Sequence, residues 1–465
     1  MLRPLLCTIA MVCALPVMAA EWTLTDVLEI PGTSAYRVKP GDRTPPRANT
    51  TRLGFFSDMI YDARSGDWYA LSDRGPGGGL IAYETRVQRY HIRVDPTTGA
   101  IDTPIVMRTI KFKDAQGRPF DGLNPTLLNG SPNLLGRSFD PEGLALGANG
   151  HFYVSDEYGP SLYEFDNQGR YVRAFAIPAN LVPRQADSVA NYTDGRPTIT
   201  TGRQDNRGFE GLTFNASGSK LYGVLQDPLV NEGAQDDGRR SRWVRIVEWD
   251  VASGQSTAQF AYPLESRDVL NAINATTDDD FSATNQGRSI GLSAITALSD
   301  HEFIVLERDN RGLGVEVTAT PLHKRLYRID LNGASDIQSV SLAGSNDLPA
   351  GVVPVSKQPE ADLLAALNSV DATVPEKLEG VAIGPLLPDG RRIALVGTDN
   401  DYSVTQTGAG EQFDVCVDPE SGARAQVALD TPCPAGMALI PAYLMAFKVQ
   451  LDPPATRQAP RSGKR

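Results

Sequence analysis

Histidine, cysteine, basic stripes and long apolar runs are what this sequence has little of. It has four histidines in 465 residues. His151 and His301 fall in turns, His91 in an alternating strand and His323 in a loop, so each is expected solvated and none offers the base of a nucleophilic triad. Of four cysteines, Cys7 and Cys13 belong to a leader. Cys416 and Cys433 remain, an even pair that reads as a disulfide in an oxidising compartment; a zinc site needs more ligands than that region holds. Past the leader no apolar run is long enough to span a membrane. No basic stripe with interleaved aromatics is present, and the net charge is −12. A chain this acidic repels nucleic-acid phosphates and anionic membranes unless it carries a local basic site or a bound cation, so no nucleic-acid partner is expected.

Apolar residues make up 41% and charged residues 22%, which is enough for a sizeable core. Glycine (43) and proline (33) are plentiful, as a fold with many turns requires. Residues 1–20 read as a secretory signal peptide. Met1-Leu2-Arg3-Pro4 is a short positive region, Leu5 to Val17 is an apolar stretch, and small residues precede cleavage near Ala19 or Ala20. The expected location is the periplasm or the medium. Residues 451–465 form a Pro-rich, basic tail expected to be disordered.

Between these ends one pattern returns. Phe139–Asp156 reads FDPEGLALGANGHFYVSD, two short β-like runs with an acid opening the first and an aspartate closing the second. Altered copies recur, and four-stranded units repeated without intervening helices predict an all-β fold, a single β-propeller over 21–450. Five units are counted, or six if an insertion hides a degenerate blade. The first spans Gly54 to Phe112, the second Phe139 to Ile177, the third Gly208 to Tyr262. The fourth runs from Ile290 to Leu342 and takes Ile337–Leu342 as its last strand. The fifth has Leu378–Ile383, Ile393–Asp399 and Tyr443–Val449, with Trp22–Ile30 supplying its missing fourth strand. The insertions Asp114–Arg137, Pro178–Arg207, Glu265–Gly287 and Ala343–Lys377 are long loops. One of them holds a short helix over Pro359–Val370.

Aligned first strands superpose Ser57, Glu142, Glu210, Ser293 and Glu379. Innermost strands line a propeller's channel, so three carboxylates and two hydroxyls face one axis. Such crowding needs a cation or basic residues. Oxygen-only ligation favours calcium, with Glu142, Asp156, Glu210 and Glu379 as candidate ligands. Second strands end at Asp73, Asp156 with Glu157, Asp227, Glu307/Asp309 and Asp399 with Asp401, which suggests a second acidic tier near one mouth. Arg74, Arg207, Arg288, Arg308 and Arg311 lie beside it. Carboxylates, a metal and arginines are the inventory for a phosphate, and Glu142, Asp156 and Glu157 become the catalytic candidates with Arg74, Arg207 and Arg308 as anion binders. The same residues admit a structural role: aspartate after a strand is a turn former, and Glu-Gly is compatible with a bulge. Gly287-Arg288-Ser289-Ile290-Gly291 matches the nucleophile-elbow pattern, but a loop precedes it and a strand follows, the wrong context for that motif. The glycine-rich Gly75–Gly79 opens no helix and reads as a rim of the site. Asp278-Asp279-Asp280 is an acidic patch in a loop.

The runs SFDPEGLAL and FYVSDEYGPSLYEFD, then RGFEGLTF and LEGVAIG, resemble the phytase-like family of exported bacterial proteins described as "esterase-like activity of phytase". The resemblance covers about Gly54 to Lys448. It implies a β-propeller and suggests phosphoester hydrolysis, with calcium by analogy to propeller phytases. The expectation is an exported, calcium-dependent phosphoester hydrolase that acts on a small-molecule ester with water as nucleophile. The competing readings are a non-catalytic ligand-binding propeller with structural calcium, and a lactonase or carboxylesterase.

Overall fold

In a computed structural model the protein is described over residues 21–36, 48–275, 279–408 and 410–451. The expected leader, nearly all of the expected tail, and Asp278 of the acidic patch lie outside these residues. The chain is all-β, with a few short helices. Five four-stranded antiparallel sheets follow one another. The first holds Met59–Asp62, Asp67–Leu71, Arg86–His91 and Ile105–Lys111; the second Pro141–Leu146, Phe152–Asp156, Ser161–Phe165 and Tyr171–Ala174. The third holds Phe209–Phe214, Lys220–Leu225, Trp243–Asp250 and Ser256–Pro263; the fourth Ile290–Ala297, Glu302–Asp309, Lys324–Asp330 and Ser356–Asp362. In the fifth, Leu378–Leu386, Arg392–Thr398 and Ala442–Val449 are joined by Trp22–Ile30, which pairs antiparallel with Ala442–Val449. The first strand of each sheet packs against that of the next, and the fifth sheet's against the first's.

Local chemistry explains the repeat. In three sheets the hairpin between the third and fourth strands turns on an aspartate and a glycine: Asp95 with Gly99, Asp166 with Gly169, Asp250 with Gly254. Each glycine N–H donates to the aspartate carbonyl, at 2.8, 2.9 and 2.8 Å. The glycines have φ of 81°, 78° and 71°, a region costly for any side chain. The aspartate carboxylates accept loop N–H groups, as Asp95 Oδ1 does from Thr97 (2.8 Å) and Thr98 (2.7 Å). Apolar clusters then fill the spaces between sheets. Phe112, Phe139 and Phe165 lie between the first and second, Trp68, Leu395 and Leu444 between the fifth and first. Phe209, Trp249, Leu292 and Phe303 fill the region of the third and fourth, Leu306, Leu378 and Met445 that of the fourth and fifth.

Two expected elements are corrected. Ile337–Leu342 is not the fourth strand of the fourth sheet. Its apolar side chains pack with Ala261, and the Ile337 N–H donates to the Gln259 carbonyl at 2.8 Å, so the segment covers the third sheet's outer strand. The fourth strand is the polar Ser356–Asp362. Pro359 therefore opens no helix. It sits in this edge strand, where its missing N–H leaves no ladder bond unmade. The helix is Leu363–Asn368, capped by Asp362, whose carboxylate accepts the Ala365 N–H at 2.9 Å.

Between the second and third strands of the fifth sheet the chain forms an extra small sheet of Val404–Gln406, Gln412–Val417, Arg424–Ala428 and Ala438–Leu439. The Cys416–Cys433 disulfide, expected from cysteine count alone, closes a loop of 17 residues in it.

The innermost strands approach so closely that a side chain cannot replace certain glycines. A Cβ on Gly143 would stand 2.1 Å from the Glu210 carbonyl oxygen and 2.2 Å from Ser155 Oγ. Gly143→Ala should therefore destabilise the protein by about 3 kcal/mol. Gly408→Ala, with nothing within 4 Å of its Cβ, should leave stability unchanged. Denaturant melts of the two variants check this, and equal midpoints would refute the account of the close approach.

Candidate functional site

The site grows from an irregularity repeated in the innermost strands. Register shifts fall at Pro141/Gly143, Phe209/Leu212, Leu292/Ala294 and Leu378/Gly380. Each is a bulge around the aligned Glu or Ser, and a bulge re-aims the side chain it carries. Glu142, Glu210 and Glu379 all line one central cavity of about 320 Å³. Ser57 and Ser293, at the equivalent positions, are fully buried. The glycine after each glutamate serves packing: a Cβ on Gly211 would meet the Ile295 nitrogen at 2.5 Å. In the first sheet that position is Asp58. Its Oδ2 accepts the Leu144 N–H at 2.7 Å and its Oδ1 the Met59 N–H at 2.8 Å, so it ties the first sheet to the second.

Eight carboxylates and four basic side chains line the cavity. Arg308 spans the inner tier: Nε donates to Ser293 Oγ (2.9 Å) and Nη2 to Glu379 Oε1 (2.6 Å). The other glutamate oxygen, Glu379 Oε2, is buried without a hydrogen bond, and so is Glu210 Oε2. Burial, then the charges of Asp140, Glu210, Glu379 and Glu157, pushes the Glu142 carboxyl well above its ordinary range. Burial, then Glu157 and Glu379, does the same to Glu210.

The second tier divides. Asp73 and Asp401 line the cavity, and Asp399 stands beside them. Burial, followed by its carboxylate neighbours Asp399 and Asp140, raises Asp73 well above the ordinary range. Asp399 is pushed up to about 7, by burial first. Asp227 is buried beside Arg207, whose Nε stands 3.3 Å from its Oδ2. Asp156 does not line the cavity. Its Oδ1 accepts the Asp140 N–H (2.8 Å) and the Tyr158 N–H (3.2 Å), while Oδ2 accepts the Gly159 N–H and Ser161 Oγ (both 2.8 Å). With both oxygens taken, Asp156 is a brace for the loop that carries Asp140 and Glu157. Glu307 faces away, into a buried network between sheets. It accepts from Tyr262 (2.8 Å) and Lys357 (2.6 Å) and pairs with His323 (2.8 Å). Burial opposes its ionisation, but Lys357 and His323 outweigh that and hold it at about 2. Asp309 pairs with buried Lys324 at 2.9 Å. Strand alternation is the cause: with Arg308 turned to the axis, Glu307 and Asp309 turn from it.

The arginines are partnered. Arg74 donates from Nη1 to Asp140 Oδ2 (2.7 Å) and from its backbone N–H to Oδ1 (2.9 Å), and it also binds Asn206. Arg207 is a partly exposed wall residue. Arg288 lies 4.0 Å from Asp227, and Arg311 stacks on Phe281. Three histidines are not free as expected: His91 pairs with Asp67 (2.9 Å), His151 with Glu164 (2.7 Å) and His323 with Glu307. Ser289 ends a short helix that leads into a strand, the reverse of an elbow.

Asp140 and Lys377 join the site without having been expected. Each stands two residues before a cavity glutamate, just ahead of the equivalent strand, so the signal was present in the matching DPE and KLE. Lys377 Nζ donates to Asp401 Oδ1 at 2.6 Å and to Asp399 Oδ2 at 3.4 Å. Two carboxylate groups have oxygens within 4.8 Å of one another: Asp73, Asp140, Glu142, and Asp73, Asp399, Asp401. Both are all-oxygen sets with unpartnered glutamate oxygens in the cavity they border, a donor set that suits a hard cation.

A family model described as phytase-like, esterase-like activity of phytase, matches residues 51–402. An uncharacterized secreted protein of Arthroderma benhamiae is 27% identical over 346 residues, which is 65% of this chain and 64% of that protein. Among solved structures, the Dos1 propeller is 8% identical over 91% of this chain and 94% of its own, with a TM-score of 0.30. The PQQ-bound aldose sugar dehydrogenase of Streptomyces coelicolor is 11% identical over 84% and 79%, with a TM-score of 0.29.

The raised carboxyls set a pH dependence. Asp399 at about 7 and Asp227 and Asp156 at about 6 keep protons in the folded state that the unfolded chain releases near 3.8. Their stabilisation is complete below 3.8 and is lost as pH rises through 6 to 7. Chelator-treated protein should be most stable near pH 4, as far as these groups decide it, and lose about 1.4 kcal/mol per pH unit for each extra bound proton on the way to pH 7. Melting temperatures that rise over that range would contradict the burial of these groups.

Proposed function

We propose, from the premise that the chain belongs to the phytase-like family described as esterase-like activity of phytase, that it is an exported, metal-dependent hydrolase of small-molecule phosphoesters. One observation carries the reading: a single cavity joins clustered all-oxygen carboxylates to arginine and lysine cations. In this reading the five sheets are five blades of one closed propeller over 21–450, with Trp22–Ile30 closing the last blade. Residues 1–20 are the leader and 451–465 a tail. The disulfide and the secreted relative support export.

Asp73, Asp140 and Glu142 are the residues that would hold the cation, and Glu210 and Glu379 border the same cavity. When bound, a calcium-like ion supplies Lewis acidity toward a phosphoryl oxygen. Arg207, the partly exposed arginine of the wall, forks the phosphoryl oxygens. Arg74 and Arg308, held by Asp140 and Glu379, supply fixed positive charge on either side. Asp156 positions Asp140 through its backbone N–H. Glu157 accepts the proton of the attacking water and Glu210 gives one to the leaving oxygen; burial raises both carboxyls, that of Glu210 the further, which suits Glu210 to the acid role.

The test takes mature protein, its metal content, and phytate, an aryl phosphate, an aryl acetate and a lactone, each with and without chelator. Phosphate release lost to chelator, and lost by about a hundredfold or more in Glu142→Gln with the near-UV spectrum intact, is expected. Turnover confined to acetate or lactone would replace the phosphoester reading with an ester one. Folded protein that turns over nothing would leave a ligand-binding propeller.

A further inference from the structure

The two carboxylate groups are not equivalent. They share Asp73, but in only one of them does a cation of the protein's own bridge two members. Lys377 Nζ lies 2.6 Å from Asp401 Oδ1 and 3.4 Å from Asp399 Oδ2. In the other group, Asp73 with Asp140 and Glu142, Arg74 holds Asp140 alone, with its guanidinium on Oδ2 at 2.7 Å and its backbone N–H on Oδ1 at 2.9 Å.

Position along the strands explains the difference. Asp140 stands two residues before Glu142 in the second sheet, and Lys377 two before Glu379 in the fifth. The first sheet, which carries Asp73, packs between those two. Equivalent positions on either side of Asp73 thus hold a carboxylate in one sheet and an ammonium in the other. We propose that Lys377 stands in for a second metal ion, so that the cavity takes one divalent cation, at Asp73, Asp140 and Glu142, and keeps its Asp399–Asp401 side for the lysine. This rests on the metal-dependent reading above.

A second, independent feature points to a ligand on the lysine side. Glu379 Oε2 is without a hydrogen bond in a residue only 3% exposed, and Glu379 lines the same cavity as Lys377 and Asp401. With the ammonium removed, Asp73, Asp399 and Asp401 are an all-oxygen set of the kind calcium takes, and this oxygen lies in a residue of the same cavity wall. With the ammonium in place, a second divalent ion would meet a like charge on the carboxylates it needs. A lysine there also leaves a positive group at the cavity wall, where it can meet an anionic substrate without a second ion being loaded.

Calcium binding to chelator-stripped full-length protein tests this by calorimetry and by metal analysis after dialysis. Wild type should bind one calcium per chain, Lys377→Met two, and Lys377→Arg one. In Lys377→Met carrying Asp401→Asn the second should be lost. Wild type that binds two, or Lys377→Met that still binds one, overturns the proposal while the metal-dependent reading stands. Wild type that binds none overturns that reading too. A measurement on wild type alone removes any dependence on variant folding. Acetylation of Lys377, followed by peptide mass spectrometry, should be unchanged by saturating calcium. A rise of about tenfold, the effect of one pKa unit of lost ion pairing, would show calcium displacing the ammonium and would refute the proposal.

Discussion

The structure depends on carrying buried carboxylates into one cavity. Three innermost strands bulge at a glutamate, and the glycine that follows lets the neighbouring strand approach to contact. Gly143 against the Glu210 carbonyl is the tightest example. Close approach of the sheets and crowding of the glutamates are therefore one geometric fact. A protein that packs this way must neutralise its centre, because isolated charges in low dielectric are expensive. It does so by several routes. Arg308 bridges Glu379 and Ser293, Arg74 grips Asp140, Lys377 lies on Asp399 and Asp401, and Glu142, Glu210 and Asp73 retain protons more firmly than free carboxyls do.

The inner tier was legible in the sequence because it is repeated. Glu142, Glu210 and Glu379 align through the Glu-Gly pair, whose glycine is demanded by packing, so a structural constraint marked the residue that lines the cavity. The second tier was less legible because strand ends are not held to one geometry. After Asp156 the chain turns through Glu157-Tyr158-Gly159, and the aspartate is consumed in bonding that turn. After Asp227 comes a proline, and after Asp399 a tight turn that returns Asp401 to the cavity. An alignment of letters treats these exits as equivalent, whereas their backbones are not. Glu307 misled for a simpler reason: its neighbour Arg308 faces the axis, and two successive residues of a strand cannot both do so.

The fold was misread where hydrophobicity and strand formation part company. Ile337–Leu342 looks like a strand, and is apolar because it covers the third sheet. Ser356–Asp362 looks like a loop or helix start, and is polar because it is an edge strand with a solvated face. Edge strands are where sequence pattern is weakest, since half their hydrogen bonds and one flank go unpaired. Asp140 and Lys377, by contrast, were recoverable from the repeat, as the residues two before a cavity glutamate.

The distribution of charge around the axis also bears on order of events. Eight carboxylates against four basic groups leave the cavity negative while all are ionised. An anionic ester approaching such a cavity is repelled unless protons or a cation arrive first. In the metal-dependent reading the cation therefore precedes the substrate, and the phosphate meets a cavity whose sign has been brought toward neutral by the ion. Uniform acidity around the ring would need several ions to reach that point. Serine at two of the five inner positions, with Arg308 filling the space beside Ser293 and Lys377 beside Glu379, brings neutrality within reach of fewer. In that reading the departures from the repeat, rather than the repeat itself, are what would let the cavity receive an anion.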